Sequence, residues 1–89
     1  MKVVAAAIKF RLADSDYFCI MTNRRHADVL EQMYQLHISY DKASAVQGFI
    51  TDTDRFVDRY EAKKIAVEAH QLIVPEEETH AELYSEDVW

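Results

Sequence analysis

Residues 55–69 read Arg-Phe-Val-Asp-Arg-Tyr-Glu-Ala-Lys-Lys-Ile-Ala-Val-Glu-Ala, and they predict a short strand that leads directly into a helix. Asp58, with Glu61 three residues later, resembles a capping box, a pattern that starts helices. The apolar residues that follow fall on one helical face: Ala62, Ile65, Ala66, Ala69, Leu72 and Ile73. Pro75 is expected to end this helix, because proline cannot continue the helical hydrogen bonding.

The first 22 residues predict a β-hairpin. Residues 3–11 and 17–22 are rich in β-branched, small and aromatic side chains, and the turn composition Ala-Asp-Ser-Asp lies between them at 13–16. The alanines of the first segment leave a helix open as the alternative.

A helix from about residue 24 to 37 is expected next, with Asn23 as its N-cap. Its apolar residues recur at helical spacing: Val29, Leu30, Met33 and Leu36. Residues 42–45 are expected to form a short turn of helix, and residues 48–51 a strand. Residues 52–54 then form the turn into the strand at 55–57.

These elements predict a small single-domain α+β fold, in the order ββαββα, with two helices on one antiparallel sheet. Residues 1–75 are expected to form the core domain, and residues 76–89 an acidic C-terminal tail. The apolar end of that tail, Leu-Tyr-Ser-Glu-Asp-Val-Trp at 83–89, is expected to dock on the body or on a second subunit.

Composition excludes several functional classes. All 10 Lys and Arg residues precede Pro75 and are matched there by an equal number of acids, so the tail carries the net charge of −6. A broad nucleic-acid surface requires excess base, so no polymeric nucleic acid is expected as a partner. The single cysteine, Cys19, allows no intramolecular disulfide and fits a reducing cytoplasm. The sequence contains no apolar run long enough for a membrane-spanning helix.

No motif for catalysis, metal binding or a cofactor is present, so we expect a protein that is not an enzyme and needs no cofactor. The four histidines are scattered, and His37 and His70 are each expected to end a helix. A histidine at that position is favoured by the helix dipole, which is a more ordinary explanation than metal binding.

Arg24-Arg25-His26 opens the first predicted helix, where the helix dipole disfavours positive charge. One interpretation is an anion site, in which these side chains and the helix N–H groups hold phosphate. The alternative is a solvated surface cluster, paired with the acidic tail.

A second candidate site combines Gly48-Phe49-Ile50-Thr51 with Arg55 and Arg59. Phe49 and Arg55 can provide faces on which a planar base stacks. In the alternative interpretation the apolar residues alternate between core and surface, and both arginines are solvated.

Six blocks of the sequence resemble a family of small phage-encoded proteins, and together they cover nearly the whole chain: residues 5–9, 25–29, 48–51, 55–62, 65–71 and 83–89. The most specific are Arg-Phe-Val-Asp-Arg at 55–59 and Ser-Glu-Asp-x-Trp at 85–89. The pattern is similar to the first group of Thoeris anti-defence proteins. Asp54 departs from it, since a glycine is expected in that turn.

The resemblance implies a sponge that binds a cyclic ADP-ribose isomer, or a cyclic oligonucleotide, without cleaving it. It also implies a homodimer or higher homo-oligomer in the host cell cytoplasm, with pockets at subunit contacts. In such a pocket Phe49 would stack on the base, and Arg55 or Arg59 would cover the base or hold the diphosphate. Arg25 and His26 of the facing subunit would contact phosphate, and Thr51 or Asp58 would bind ribose hydroxyls.

We therefore expect a phage anti-defence protein that sequesters a cyclic nucleotide signal. The alternative is a phage inhibitor that binds a host defence protein, such as a CRISPR or restriction enzyme, through the acidic tail and terminal aromatics. A small nucleotide hydrolase has the least support.

Overall fold

A computed structural model describes all the residues, Met1–Trp89. In chain order the elements are β1 (Val3–Leu12), β2 (Phe18–Asn23), α1 (His26–Gln35), β3 (Tyr40–Thr51), β4 (Phe56–Asp58) and α2 (Arg59–Glu68). Two short 3-10 turns follow at Glu76–Glu78 and Ser85–Asp87. The four strands form one antiparallel sheet in the order β2-β1-β3-β4. The predicted single-domain α+β fold, in the order ββαββα, is confirmed.

Both helices pack on one face of the sheet. Because side chains alternate along a strand, Ala6, Ile8 and Phe10 of β1 point to the same face. Near one end of that face α1 contributes Val29 and Met33 to a cluster with Ile8 and Phe10. Towards the other end α2 contributes two buried alanines to a second cluster, which includes Ala6. The opposite face of the sheet carries no helix.

The strand β3 is longer than expected, and the helical turn predicted at 42–45 is wrong. Lys9 pairs with Val46, but Arg11 pairs with Asp41, so residues 42–45 form a bulge within the strand. Two side-chain bonds shape it: the Asp41 carboxylate accepts from the Ala43 N–H at 3.0 Å, and the Ser44 hydroxyl accepts from the N–H of Arg11 on the neighbouring strand at 2.9 Å. These bonds replace ladder bonds that the bulge interrupts.

The helix α2 begins as predicted. The Asp58 carboxylate accepts a hydrogen bond from the Glu61 N–H at 2.8 Å. The helix α1 begins differently, because Asn23 is the last residue of β2 and the extended residue Arg25 is the N-cap. The Arg25 side chain makes no capping bond, and the Ser85 hydroxyl accepts from the His26 N–H at 3.5 Å instead.

Histidines follow both helix ends, as expected. His37 and His70 have φ values of 53° and 56°, in the left-handed region. At each end two backbone bonds complete a Schellman motif; after α2 the His70 N–H donates to Val67 and the Gln71 N–H to Ala66. The helix α2 therefore ends at Glu68, well before Pro75, where the sequence placed its end.

The C-terminal segment is part of the core. The second cluster, to which α2 contributes its two alanines and which we call the α2 cluster, also contains Leu83 and Val88. Leu83 is fully buried there. The Leu83 N–H donates to the Arg59 carbonyl at 2.9 Å, and the Ile73 N–H donates to the Asp87 carbonyl at 2.9 Å. The end of the chain thus packs on the start of α2 and on the segment that follows it.

Candidate functional site

The predicted anion site at the start of α1 holds the end of the chain itself. The Arg25 guanidinium donates to the carbonyl oxygen of Trp89 at 2.7 Å and lies 3.7 Å from the Glu86 carboxylate. The Trp89 indole N–H donates to the Arg24 carbonyl. Within this cluster the Arg25 guanidinium is paired with the acidic tail, whereas the Arg24 side chain forms no ion pair.

His26 and Phe49 lie behind this contact, in the interior. The Nε2 atom of His26 is 2.7 Å from the Gly48 carbonyl oxygen, and its ring meets the Phe49 ring edge-on, with centroids 5.0 Å apart. Burial lowers the pKa of His26 below its ordinary value, and the bond to Gly48 opposes this shift. A neutral imidazole that donates from Nε2 satisfies the carbonyl.

Phe49 has no exposed ring face with which to stack on a ligand. Its side chain points to the helix-covered face of the sheet, where the Trp89 ring also packs against it at 6.1 Å. We therefore do not place Phe49 in a binding surface.

Thr51 and Arg55 form a second group, in the turn between β3 and β4. Thr51 is fully buried, and its hydroxyl accepts from the Arg55 N–H at 3.2 Å. The Arg55 side chain is exposed and forms an ion pair with Glu61 at 2.7 Å. Asp54 has a φ of 61°, so the turn adopts a glycine-like conformation despite the departure from the family pattern.

Asp58 and Arg59 form a third group, beside an open groove of about 350 Å³. The groove is lined by Ala45, Val46, Gln47, Asp58, Arg59, Tyr60 and Glu82. Arg59 forms an ion pair with Glu82 at 3.3 Å. Its guanidinium carbon lies over the Tyr84 ring, 5.1 Å from the ring centroid. The Tyr60 hydroxyl donates to the same carboxylate at 3.2 Å, and the negative charge of Glu82 raises the pKa of Tyr60.

The seven sequence-predicted residues thus fall into three groups rather than one pocket. Each of the three predicted arginines faces a carboxylate of this chain: Arg25 faces Glu86, Arg55 faces Glu61 and Arg59 faces Glu82. An incoming phosphate would have to displace these partners.

Sequence reasoning missed a cleft between α1 and the start of β3. It has a volume of about 340 Å³ and six lining residues: Leu30, Met33, Tyr34, Ile38, Tyr40 and Lys42. Five of these are apolar or aromatic, and the Tyr34 side chain is 75% exposed. Leu30 belongs to the predicted apolar stripe of the helix, yet it is 43% exposed at the cleft. The spacing of Leu30 and Tyr34, four residues apart, is the signal that places both on one helix surface.

The structure shows no arrangement of side chains for metal binding. No group of three His, Cys, Asp or Glu residues lies close enough to hold a metal ion. None of the helices is long and apolar enough to span a membrane.

Residues 2–89 match the model of a family of phage proteins. That family is described as the phage T4 y16D protein, and the chain belongs to it. The expected membership of a small phage protein family is confirmed, whereas the narrower resemblance to Thoeris anti-defence proteins finds no support in this match. Neither the curated proteins nor the solved structures contain a match to this chain.

Proposed function

We propose that this phage protein acts by binding a protein of the host cell through the α1–β3 cleft, without catalysing a reaction. The observation that carries this proposal is the cleft itself. Leu30 and Tyr34 remain exposed at its rim although the fold has an apolar core in which to bury such side chains. Exposed apolar residues grouped around a concave surface are typical of protein-interaction sites.

The chemistry of the cleft indicates the chemistry of its partner. Its apolar lining suits one or two aliphatic or aromatic side chains, and Tyr34 supplies the kind of exposed ring that often dominates an interface. Lys42 is the one charged residue of the lining and forms no ion pair within the chain. A partner segment with an apolar anchor and a neighbouring carboxylate complements this surface.

The test is affinity capture from host cells with the full chain, using charged substitutions at the rim. Leu30→Glu and Tyr34→Glu should each abolish capture of the partner, because both place a carboxylate in the contact. Lys64→Glu is the control, since Lys64 is also exposed on a helix, lies outside the cleft and forms no ion pair within the chain. Equal capture by the unchanged chain and by all three variants would contradict the proposal.

Sequestration of a cyclic nucleotide signal is a second candidate, favoured by the groove beside Asp58 and Arg59. Its volume of about 350 Å³ lies within the range of small-molecule sites. Tyr60 offers an exposed ring for stacking in place of Phe49, and Gln47 and Asp58 offer polar groups to a base or ribose. The groove is open on one side, so a second subunit would have to enclose the ligand.

Native mass spectrometry with cyclic ADP-ribose isomers and cyclic di- and trinucleotides tests this candidate. A stoichiometric adduct of unchanged ligand mass, lost on Tyr60→Ala and retained on Tyr34→Ala, would support it. The absence of any adduct across the panel would contradict this candidate.

A further inference from the structure

The strand β2 lies at one edge of the sheet, and its outer side is unpaired. β2 pairs only with β1, so the backbone groups that point away from β1 have no strand beside them. No hydrogen bond outside the sheet ladder involves a backbone group of residues 18–22. Proteins usually protect such an edge with a charge, a proline, a bulge or a covering segment.

β2 has none of these protections in its own sequence. Residues 17–23 read Tyr-Phe-Cys-Ile-Met-Thr-Asn, with no charge and no proline, and the pairing of β2 with β1 has no bulge. Phe18 and Ile20 are 55% and 44% exposed on the face that carries no helix. This edge is therefore suited to pairing with another strand.

Charges of opposite sign flank the uncharged strand. Asp14 and Asp16 precede it, and Arg24 and Arg25 follow it. Asp16 and Arg24 form no ion pair within the chain, in contrast to the other four arginines. A strand that is acidic at one end and basic at the other is complementary to an antiparallel copy of itself.

We propose that two copies of this chain pair β2 with β2 in antiparallel orientation about Ile20, so that the two sheets join into one of eight strands. In this register Ile20 lies opposite Ile20 of the second copy, and Phe18 lies opposite Thr22. Asp16 of each copy then comes alongside Arg24 of the other, at both ends of the pairing. Residues that face each other are an even number of positions apart in the sequence, so their side chains lie on the same face of the sheet. The helix-covered face of one sheet therefore continues into that of the other.

This inference does not depend on the proposed function. The cleft lies between α1 and the start of β3, whereas the dimer contact lies on the outer edge of β2. A failure of the host-protein test would leave the dimer prediction intact, and the reverse also holds.

A charge-swap mixing experiment tests the proposal. Asp16→Arg places two arginines together at each end of the dimer, and Arg24→Asp places two carboxylates together. We expect each variant alone to dimerise at least tenfold more weakly than the unchanged chain at low salt, because two favourable contacts become repulsive. An equimolar mixture restores both ion pairs, so a heterodimer should form. Analytical ultracentrifugation measures the masses, and circular dichroism checks that each variant is folded.

Engineered disulfides test the register. With Cys19→Ser as background, Ile20→Cys should give a disulfide-linked dimer on mild oxidation, since directly opposed Cα atoms lie about 4.5–5.5 Å apart. Thr22→Cys in the same background is the matched control. Its two sulfur-bearing residues would lie four positions apart along the strands, roughly 13 Å, which is too far for a disulfide.

The proposal is overturned if the unchanged chain is monomeric at 100 µM (roughly the upper range of weak functional association). It is also overturned if dimers form but neither charge swap weakens them, or if the mixture of the two swapped variants remains monomeric. Preferential crosslinking through Thr22→Cys over Ile20→Cys would exclude this register.

Discussion

Arg25 donates a hydrogen bond to the carbonyl oxygen of Trp89 at 2.7 Å, so the start of the first helix holds the last residue of the chain. The Glu86 carboxylate lies 3.7 Å from the same guanidinium, so the acidic tail supplies the partners of Arg25. This contact makes the tail part of the fold, and a phosphate bound at Arg25 would have to displace it.

The C-terminal segment should be needed for stability rather than only for activity. Leu83→Ala removes a fully buried side chain from the α2 cluster and should lower the free energy of unfolding by about 2–5 kcal/mol. Urea denaturation followed by circular dichroism measures the change. Glu77→Ala, at an exposed position of the same tail, should leave the midpoint nearly unchanged. An equally small effect of both substitutions would show that the tail does not contribute to the core.

Because the tail is part of the core, its deletion cannot separate the binding of a host protein from the folding of the chain. Deleting residues 76–89 would remove Leu83 and Val88 from the core, so a loss of activity could arise from unfolding alone. Single substitutions at the cleft rim separate binding from folding, because Leu30 and Tyr34 are both exposed.

Stability should depend on pH through His26. Its pKa is lowered in the folded state, chiefly by burial, from an ordinary value of 6.5. Between that value and the lower folded pKa, the unfolded chain binds more protons, so stability falls as the pH falls through this window. The loss is complete once the pH lies below the folded pKa.

Unfolding midpoints measured between pH 8 and pH 5 (roughly one to two units on each side of the ordinary histidine pKa) would reveal this dependence. His26→Asn should remove the part that this imidazole contributes, whereas His37→Asn should retain it. An unaltered pH profile in the His26 variant would contradict the assignment.

Gly48 should not tolerate a side chain. A Cβ atom built there would lie 2.2 Å from the Val57 carbonyl oxygen and 2.7 Å from the Phe56 ring. Because the backbone atom of the paired strand cannot move without breaking the β3–β4 ladder, Gly48→Ala should destabilise the fold by roughly 2 kcal/mol or more. Thermal unfolding measures the effect. The variant Ala43→Gly, at an exposed position in the bulge of the same strand, is the comparison. A melting temperature equal to that of the unchanged chain would show that β4 can shift.

Local signals in the sequence predicted some elements well. The Asp58 and Glu61 pair identified the start of α2, because a capping bond joins groups only three residues apart. The bulge in β3 gave no such signal. It depends on bonds that Asp41 accepts from Ala43 and that Ser44 accepts from Arg11 on the neighbouring strand, and the second of these requires the strand pairing itself.

The candidate site was harder to predict because its contacts are long-range. Residues 48–51 indicate a strand, but which face Phe49 takes is fixed by pairing with Ala6 and by the helices above. The partner of Arg25 lies more than sixty residues away in the chain. The cleft at Leu30 requires the position of β3 relative to α1, which no local pattern supplies.

Site-specific photo-crosslinking tests the central claim most directly. A photoreactive amino acid is placed at position 34 of the full chain, or at position 60 as the control, and the host cells are irradiated. We predict a covalent adduct with a defined host protein from position 34 but not from position 60, since only Tyr34 lies at the cleft. No adduct from position 34, or the same adducts from both positions, would contradict it.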